Sequence, residues 1–359
     1  MKRGFFKSIF AIIFVASVSF AYADKQSMQV RCIAFYNLEN LFDTIHDEGK
    51  NDYEYLPDGG MKWTSFKYEQ KLEKMAYAIA QLGTDEDPRG AACVGVSEVE
   101  NIGCLNDLCR VLLEKYNRNY VPLLLEGPDR RGVDVGFLYN PAMFKPVSTK
   151  GYELKAHYAD GGVVKSRLQL WISGYLLDDD HKIVKDKIHI SVNHWPSRYG
   201  GEESSRPTRD TAAMLCKHVC DSIYMREPRA KIIVMGDLND DPYNHSCAVV
   251  MGAKKTRKEV PEQGFFNTMW QKLSRGIGSL CYQGTWNLFD QIFISEPLMN
   301  ATIDEGKWVY WKSQIFNKPF LTVQEGKDKG TPLRTVKSNV WQNGYADHYP
   351  TMIYLIKSK

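Results

Sequence analysis

Carboxylate, carboxamide and imidazole side chains recur in this 359-residue chain directly beside short apolar runs. Asn37 follows the run Val30 to Tyr36, within Phe35-Tyr36-Asn37-Leu38-Glu39-Asn40. Glu98 follows Ala92 to Val96, His194 follows Ile188 to Val192, and Asp237 and Asn239 follow Ile232 to Met235. Asp290 opens the run Gln291 to Ile294, and Asp347 and His348 precede Tyr349 to Ile356. Oxygen-rich sets of this kind suit hard cations such as Mg²⁺, which keep waters that a phosphate oxygen can replace. A phosphate ester repels nucleophiles. Its hydrolysis therefore needs positive charge on the nonbridging oxygens, a base for water and stabilisation of the leaving oxygen. The set contains residue types for each role.

The runs that carry these residues have strand length and are bounded by turn or polar residues, as are Val133 to Tyr139 and Leu168 to Leu177. Helical periodicity appears at Phe66 to Leu82, Leu105 to Tyr116 and Pro207 to Tyr224. Strands outnumber helices, and several are neighbours with no helix between them. That pattern predicts an α/β fold, a four-layer sandwich of two packed mixed β-sheets flanked by helices. Such a sandwich brings strand ends to one rim. With no repeat, low-complexity tract or linker in view, residues 28–359 read as a single domain. The polar stretch Lys327 to Ala346, just before the last strand, is expected to be a surface loop beside the site.

At the N-terminus, Lys2, Arg3 and Lys7 precede the apolar run Ile9 to Phe20, and Ala21-Tyr22-Ala23 gives a small-x-small pattern. Residues 1–23 read as a cleaved signal peptide, because the run is too short to span a bilayer and Asp24 rather than a cysteine follows. Export to a periplasm or the exterior follows from that reading. The formal charge of +3 comes from 46 basic and 43 acidic residues, so removing those three cations leaves a near-neutral chain. A protein holding long nucleic acids mainly through phosphates shows a basic excess, and the totals lack one. The eight cysteines allow disulfides, with connectivity open. Cys104 with Cys109, and Cys216 with Cys220, fall in helical segments and read as buried thiols or disulfides rather than as metal ligands.

Singly, each of these polar residues has an ordinary explanation: a Gly-Asp turn, a loop carboxylate, a satisfied histidine. Their order is more specific. Tyr36-Asn37, Ser97-Glu98, Asn193-His194, Gly236-Asp237-Leu238-Asn239, Phe289-Asp290-Gln291 and Ala346-Asp347-His348 together resemble the endonuclease/exonuclease/phosphatase superfamily, whose fold is DNase I-like. The resemblance implies that Glu98 is the principal metal ligand, with Asn37 and Asp347 near the same cation. It implies that Asp237 orients or deprotonates water or holds a second metal, and that Asn239 grips the phosphate. His348, backed by Asp290, and His194 would contact phosphate oxygens, His194 also protonating the leaving group; the base stays open among Asp237, His348 and His194. Mg²⁺ is the expected cofactor, with Mn²⁺ or Ca²⁺ as alternatives.

Arg131, in Arg130 to Gly136, and Arg198 are candidate substrate-binding cations. Trp195 and Trp286 read as core aromatics or as stacking platforms. The favoured substrate is a phosphodiester of nucleic acid. Phospholipid headgroups and inositol phosphates are the alternatives. A non-catalytic binding protein on the same fold is a remote one, since such a protein predicts gaps in a set that is complete here. No protein partner is evident.

Overall fold

Long runs of β-branched and aromatic residues with little polar alternation mark strands covered on both faces. The computed structural model describes residues 28–158, 160–303 and 306–359, and the expected signal peptide lies outside them. The first strand, β1 (Met28–Leu41), is buried almost end to end. It sits in the middle of a six-stranded sheet with β2 (Ala91–Val99), β3 (Val121–Leu124) and β4 (Asp134–Tyr139). The second sheet begins with β5 (Phe144–Tyr152), β6 (Gln169–Leu177), β7 (Ile183–His194) and β8 (Lys231–Asp237), and β9 (Phe265–Asn267) lies at its far edge. A small hairpin, β10 (Leu280–Tyr282) and β11 (Thr285–Asn287), precedes β12 (Asp290–Ser295) of the second sheet. The chain then returns to the first sheet with β13 (Val309–Ile315), forms the hairpin β14 (Val336–Lys337) and β15 (Val340–Trp341), and ends in β16 (Thr351–Ser358).

The first sheet runs β13-β16-β1-β2-β4-β3 and the second β5-β6-β7-β8-β12-β9. Each is mixed in the same way. In the first, β1 and β2 are parallel while β16, β4 and β3 pair antiparallel. In the second, β7 and β8 are parallel while β6, β12 and β9 pair antiparallel. The two central parallel pairs therefore end at corresponding places, Asn37 beside Ser97 and His194 beside Asp237.

Period-two alternation decides what each face meets. On β8, Ile233 and Met235 join the large core between the sheets, while Ile232 and Val234 face the other way into a separate apolar cluster. Helix α1 (Ser65–Gln81) and helix α2 (Ile102–Tyr116) bury their apolar stripes in the first core, against the outer face of the first sheet. Helix α3 (Glu202–Tyr224) packs Ala212, Cys216, Val219 and Ile223 on the outer face of the second. The result is the expected four-layer α/β sandwich. Helix α2 starts where the Asn101 side chain accepts from the Cys104 N–H and stops at Asn117, whose φ of 52° turns the chain out of the helix.

Some elements escape the sequence pattern. β3, β5 and β13 carry Pro122, or Lys145 with Pro146, or Lys312, at or near sheet edges, where one-sided exposure breaks the apolar run. The stretch Lys327 to Ala346 is more than a surface loop, since it carries β14 and β15 and a fully buried Thr335. Buried Lys71 of α1 reaches into it, donating to Thr335 Oγ1 and to the Tyr345 carbonyl. All eight cysteines are free thiols, and all but Cys281 are buried. No helix among the described residues is long and apolar enough to cross a membrane.

At Gly236 the parallel strands β7 and β8 leave no room for a side chain, since an added Cβ would stand 2.2 Å from the Asn193 carbonyl oxygen. Gly236→Ala must push the end of β8 away from β7. The expected cost is about 3 kcal/mol, read as a lower urea midpoint at unchanged slope. A loss within experimental error would refute the close approach.

Candidate active site

Two bulges deliver the first carboxylate. Between the pairs Asn37↔Ser97 and Leu41↔Val99 the register slips, and Glu39 and Asn40 take φ of 48° and 58°. On the adjoining strand Glu98 itself is the bulge residue, at φ 60°, between Ser97↔Val135 and Val99↔Asp134. Bulges re-aim side chains at sheet rims, and a positive φ in Glu costs on the order of 1–3 kcal/mol unless the surroundings hold it. Here they do: Glu98 Oε2 accepts the Asn40 N–H at 3.0 Å and Oε1 accepts Asn37 Nδ2 at 3.2 Å.

Asn37 donates the same amide to Asp237 Oδ2 at 3.0 Å, while its oxygen accepts the Glu39 N–H at 2.9 Å. The residue thus presents nitrogen, not oxygen, to the carboxylates. In this arrangement it ties Glu98 to Asp237 rather than offering the oxygen ligand that the resemblance implied.

The second sheet supplies the other half. Asp237 lies between His194 and Asp290 in register. Its Oδ1 accepts the Asn239 N–H at 3.0 Å, and its Oδ2 stands 3.8 Å from His194 Nε2 and 4.0 Å from His348 Nε2. His194 Nε2 is also 3.9 Å from Glu98 Oε1. His348 Nδ1 donates to Asp290 Oδ2 at 2.6 Å, an oxygen that also accepts the Ser279 hydroxyl at 2.5 Å. That bond fixes the ring's orientation and leaves His348 Nε2 facing Asp237 and, at 3.9 Å, Asp347 Oδ1. The other oxygen of Asp347 accepts Arg334 at 3.0 Å, and Arg334 also donates to Glu39.

Burial sets the charges. Loss of solvent, with Asp290 and Glu98 adding to it and His348 opposing, pushes the Asp237 carboxyl up to about 7. Burial also works against the imidazolium of His348, but Asp290, Asp347 and Asp237 overcome it and hold that ring well above its ordinary value. His194 goes the other way: burial, then Arg167, Arg131 and His348, keep it neutral, and its Nδ1 is buried without a partner. The two histidines therefore differ in kind, one a cation and the other a neutral hydrogen-bonding group. Two overlapping groups, Glu98–His194–Asp237 and Asp237–Asp290–His348, have the donor chemistry of a hard divalent cation, whose charge would relieve the crowding around Asp237.

The group lies at the floor of an open cleft of about 880 Å³, whose walls include Arg131, Arg167 and Lys165, with Tyr158 and Tyr199 at the mouth. Asn239 lines it too, with one amide hydrogen committed to the Trp195 carbonyl at 3.0 Å. Arg131 is half exposed, 3.7 Å from Asp129. Arg198 does not line the cleft. Its N–H groups go to the Asn239 carbonyl, Glu202 and Asn244, and its guanidinium covers Phe289, so it braces the loop after Asp237. Trp195 is a core residue, and Trp286 stacks on Tyr349.

Two residues escaped the sequence reading. Arg167 is buried, donates to the Trp195 carbonyl at 2.8 Å and to Asp129 at 3.2 Å, and keeps Nε unpartnered. Its only signal was a cation abutting the predicted strand at Leu168. Asp134, at the start of β4, is buried and accepts the Gly127 N–H at 2.9 Å, which pins the Arg130–Arg131 turn. Burial raises its carboxyl to about 7, with Asp129 and Glu126 adding and the Gly127 bond and Lys50 opposing.

The family described as Endonuclease/Exonuclease/phosphatase matches residues 32–357 of the chain. Among solved structures, an endonuclease/exonuclease/phosphatase family protein from Bacteroides thetaiotaomicron superposes with a TM-score of 0.53 at 14% identity, over 92% of this chain and 98% of that one. A mannosyl-6-phosphatase of the same organism gives 0.52 at 14% identity, over 90% and 99%. Truncated TDP2 from Caenorhabditis elegans gives 0.51 at 14% identity, over 91% and 97%. At that identity the likeness is one of fold. No curated protein matches the chain significantly.

Asp134 offers a test of the electrostatics that is separate from the site chemistry. Its folded value lies above its unfolded one, so its contribution is complete below about 4 and is lost as pH rises through about 7. Asp134→Asn keeps an acceptor for Gly127 and removes the titration. The variant is expected to gain on the order of 2 kcal/mol over wild type between pH 4 and pH 8, measured by urea unfolding at each pH. Parallel profiles would refute the buried carboxyl.

Proposed function

Because the chain belongs to the endonuclease/exonuclease/phosphatase family, we propose that it is an exported, divalent-metal-dependent phosphoesterase that hydrolyses phosphodiesters of nucleic acid. The observation that carries the reading is the convergence of Glu98, Asp237 and the Asp290–His348 pair on one cleft floor, under walls bearing Arg131, Arg167 and Lys165. Open cationic walls suit a chain that enters from solvent, and the exposed rings of Tyr158 and Tyr199 suit unstacked bases. The near-neutral charge of the chain without its first 23 residues favours a second reading, the same reaction on a phospholipid headgroup or inositol phosphate.

Glu98, with Asp347 near the same rim, would hold Mg²⁺, or Mn²⁺ or Ca²⁺ in its place. When bound, the cation supplies charge neutralisation on the phosphate and acidifies water. The chain's own residues do the rest. Asp237, buried and basic for a carboxylate, is suited to orient water and take its proton. His348, held cationic by Asp290, places positive charge on a nonbridging oxygen, and the Nδ1 bond to Asp290 orients the ring so that Nε2–H points there. His194 is neutral, so it serves the leaving oxygen as a hydrogen-bond donor before it serves as an acid. Asn239 has an amide hydrogen left for the phosphate, and Arg131 and Arg167 hold its charge during binding.

The test is Mg²⁺-dependent hydrolysis by the chain lacking residues 1–23, assayed on plasmid DNA, RNA, sphingomyelin, inositol phosphates and bis-p-nitrophenyl phosphate. EDTA should abolish turnover. Glu98→Ala and Asp237→Asn should each lower kcat/KM on the order of a thousandfold, about 4 kcal/mol of transition-state stabilisation, with unchanged melting. Arg131→Ala should raise KM several-fold and leave kcat nearly alone. Wild-type rates in Glu98→Ala, or inertness toward every ester with any divalent metal, would overturn the proposal.

A further inference from the structure

Arg334 has no part in the chemistry proposed for the cleft, whose walls it does not line. It stands behind Asp347. Its Nη2 donates to Asp347 Oδ2 at 3.0 Å, and its Nε donates to Glu39 Oε1 at 3.1 Å. The guanidinium thus joins two acids from distant parts of the chain, one on the β1 bulge and one directly before His348. Exposed ion pairs contribute little, because two long side chains must be held still to make them. Here one partner is already still. The Glu39 side chain is only 5% exposed, and its Oε2 accepts the Thr335 N–H at 2.6 Å.

The backbone that carries Arg334 is fixed as well. Buried Lys71 donates to Thr335 Oγ1 and to the Tyr345 carbonyl, to which Thr335 Oγ1 also donates at 2.7 Å. The Tyr345 N–H returns to the Leu333 carbonyl at 2.6 Å. At Gly344 the two stretches leave no space for a side chain, since an added Cβ would stand 2.2 Å from the Arg334 carbonyl oxygen. The stretch bearing Arg334 and the stretch leading into Asp347 are therefore one unit, and Glu39 clamps that unit to β1.

The consequence is electrostatic. Burial works against the Arg334 cation, but Asp347, Glu39 and Glu98 outweigh it and hold the guanidinium above its ordinary value. Such influence is mutual, so the attraction that steadies Arg334 lowers by the same amount the pull of these acids on a second cation. Arg334 also occupies Asp347 Oδ2, which leaves Oδ1, 3.9 Å from His348 Nε2, as the oxygen turned toward the site. A guanidinium stays charged at every working pH, so neither effect lapses.

We propose that Arg334 is a positioning residue that sets the metal affinity of the site. It turns Asp347 so that one oxygen faces the ion, and its charge keeps the ion more weakly bound than the acids alone would hold it. The inference rests on the metal-dependent reading given under the proposed function. Weaker capture has a use there, because a hard cation that keeps its waters can exchange one for a phosphate oxygen.

The test is a titration of the EDTA-treated, dialysed protein with Mn²⁺ in the absence of any ester, following the electron paramagnetic resonance of the free ion. Arg334→Met should bind Mn²⁺ about tenfold more tightly than wild type, the effect of one unit charge near a divalent ion even under the screening of bulk water. Arg334→Gln, which keeps a donor for Asp347 and loses the charge, carries the same expectation should the Met variant fold poorly. Arg334→Lys keeps the charge and should stay within about threefold of wild type. Thr335→Val loosens the same unit without removing a charge, so it should lower melting and bind Mn²⁺ no more tightly than wild type. The Mg²⁺ concentration for half-maximal ester hydrolysis should fall in step with the Mn²⁺ constant in the neutral variants. Binding by wild type that is unchanged or weaker in both neutral variants, or equally tightened in Arg334→Lys, overturns the inference and leaves the metal-dependent reading standing. Failure of wild type to bind Mn²⁺ overturns both.

Discussion

Everything at the rim of this sandwich answers to the cost of gathering carboxylates away from water. Glu98 and Asp290 each cluster with Asp237, and two of the three acids are almost wholly buried. Like charges in such a place raise one another's proton affinity, and the protein meets that with neighbours of fixed kind. The Asn37 amide bridges two of the acids, the Asp290–His348 pair makes a cation of an imidazole, and Arg334 takes one oxygen of Asp347. None of these suffices to neutralise the group. The residual negative charge suits the site to a divalent ion.

The fold contributes by convergence. Two sheets with the same central arrangement place the ends of their parallel pairs at one rim, so each supplies an acid where its second strand finishes, Glu98 in one and Asp237 in the other. The two ends are made differently. Glu98 is delivered by positive-φ bulges on β1 and β2, whereas Asp237 follows a glycine that lets β8 close on β7. Strain on one side and close approach on the other achieve the same outcome, a carboxylate turned inward at the end of a strand.

Much of this was legible in the residues. Apolar runs ending in Asn37, Glu98, His194 and Asp237 marked the strands and the polar residues that the fold gathers at one rim, because a strand buried on both faces carries its polar groups at its ends. The edge strands β5 and β13 were not legible, since Lys, Ser and Gly on an exposed face leave no run to see. Nor was the neutral state of His194, which depends on groups far apart in sequence, Arg167 and Arg131, whereas the pairing of His348 with Asp290 was already what the resemblance implied. Arg198 was misjudged for a related reason. Its closeness to His194 in the chain suggested the cleft, but Glu202, Asn244 and the Asn239 carbonyl hold its guanidinium elsewhere. The same limit applied to Lys327 to Ala346, whose polar composition concealed the anchor provided by Lys71.

The distribution of thiols gives the molecule a built-in reporter. Seven of the eight sulfurs are sealed in the two cores, where burial holds thiols such as Cys32, Cys93, Cys104 and Cys247 far from the reactive thiolate form. Cys281 alone is partly open, on the small β10–β11 hairpin, next to Leu280 of the cleft wall. A thiol-directed dye or spin label therefore finds a single address on the folded chain, one residue along from the wall of the cleft.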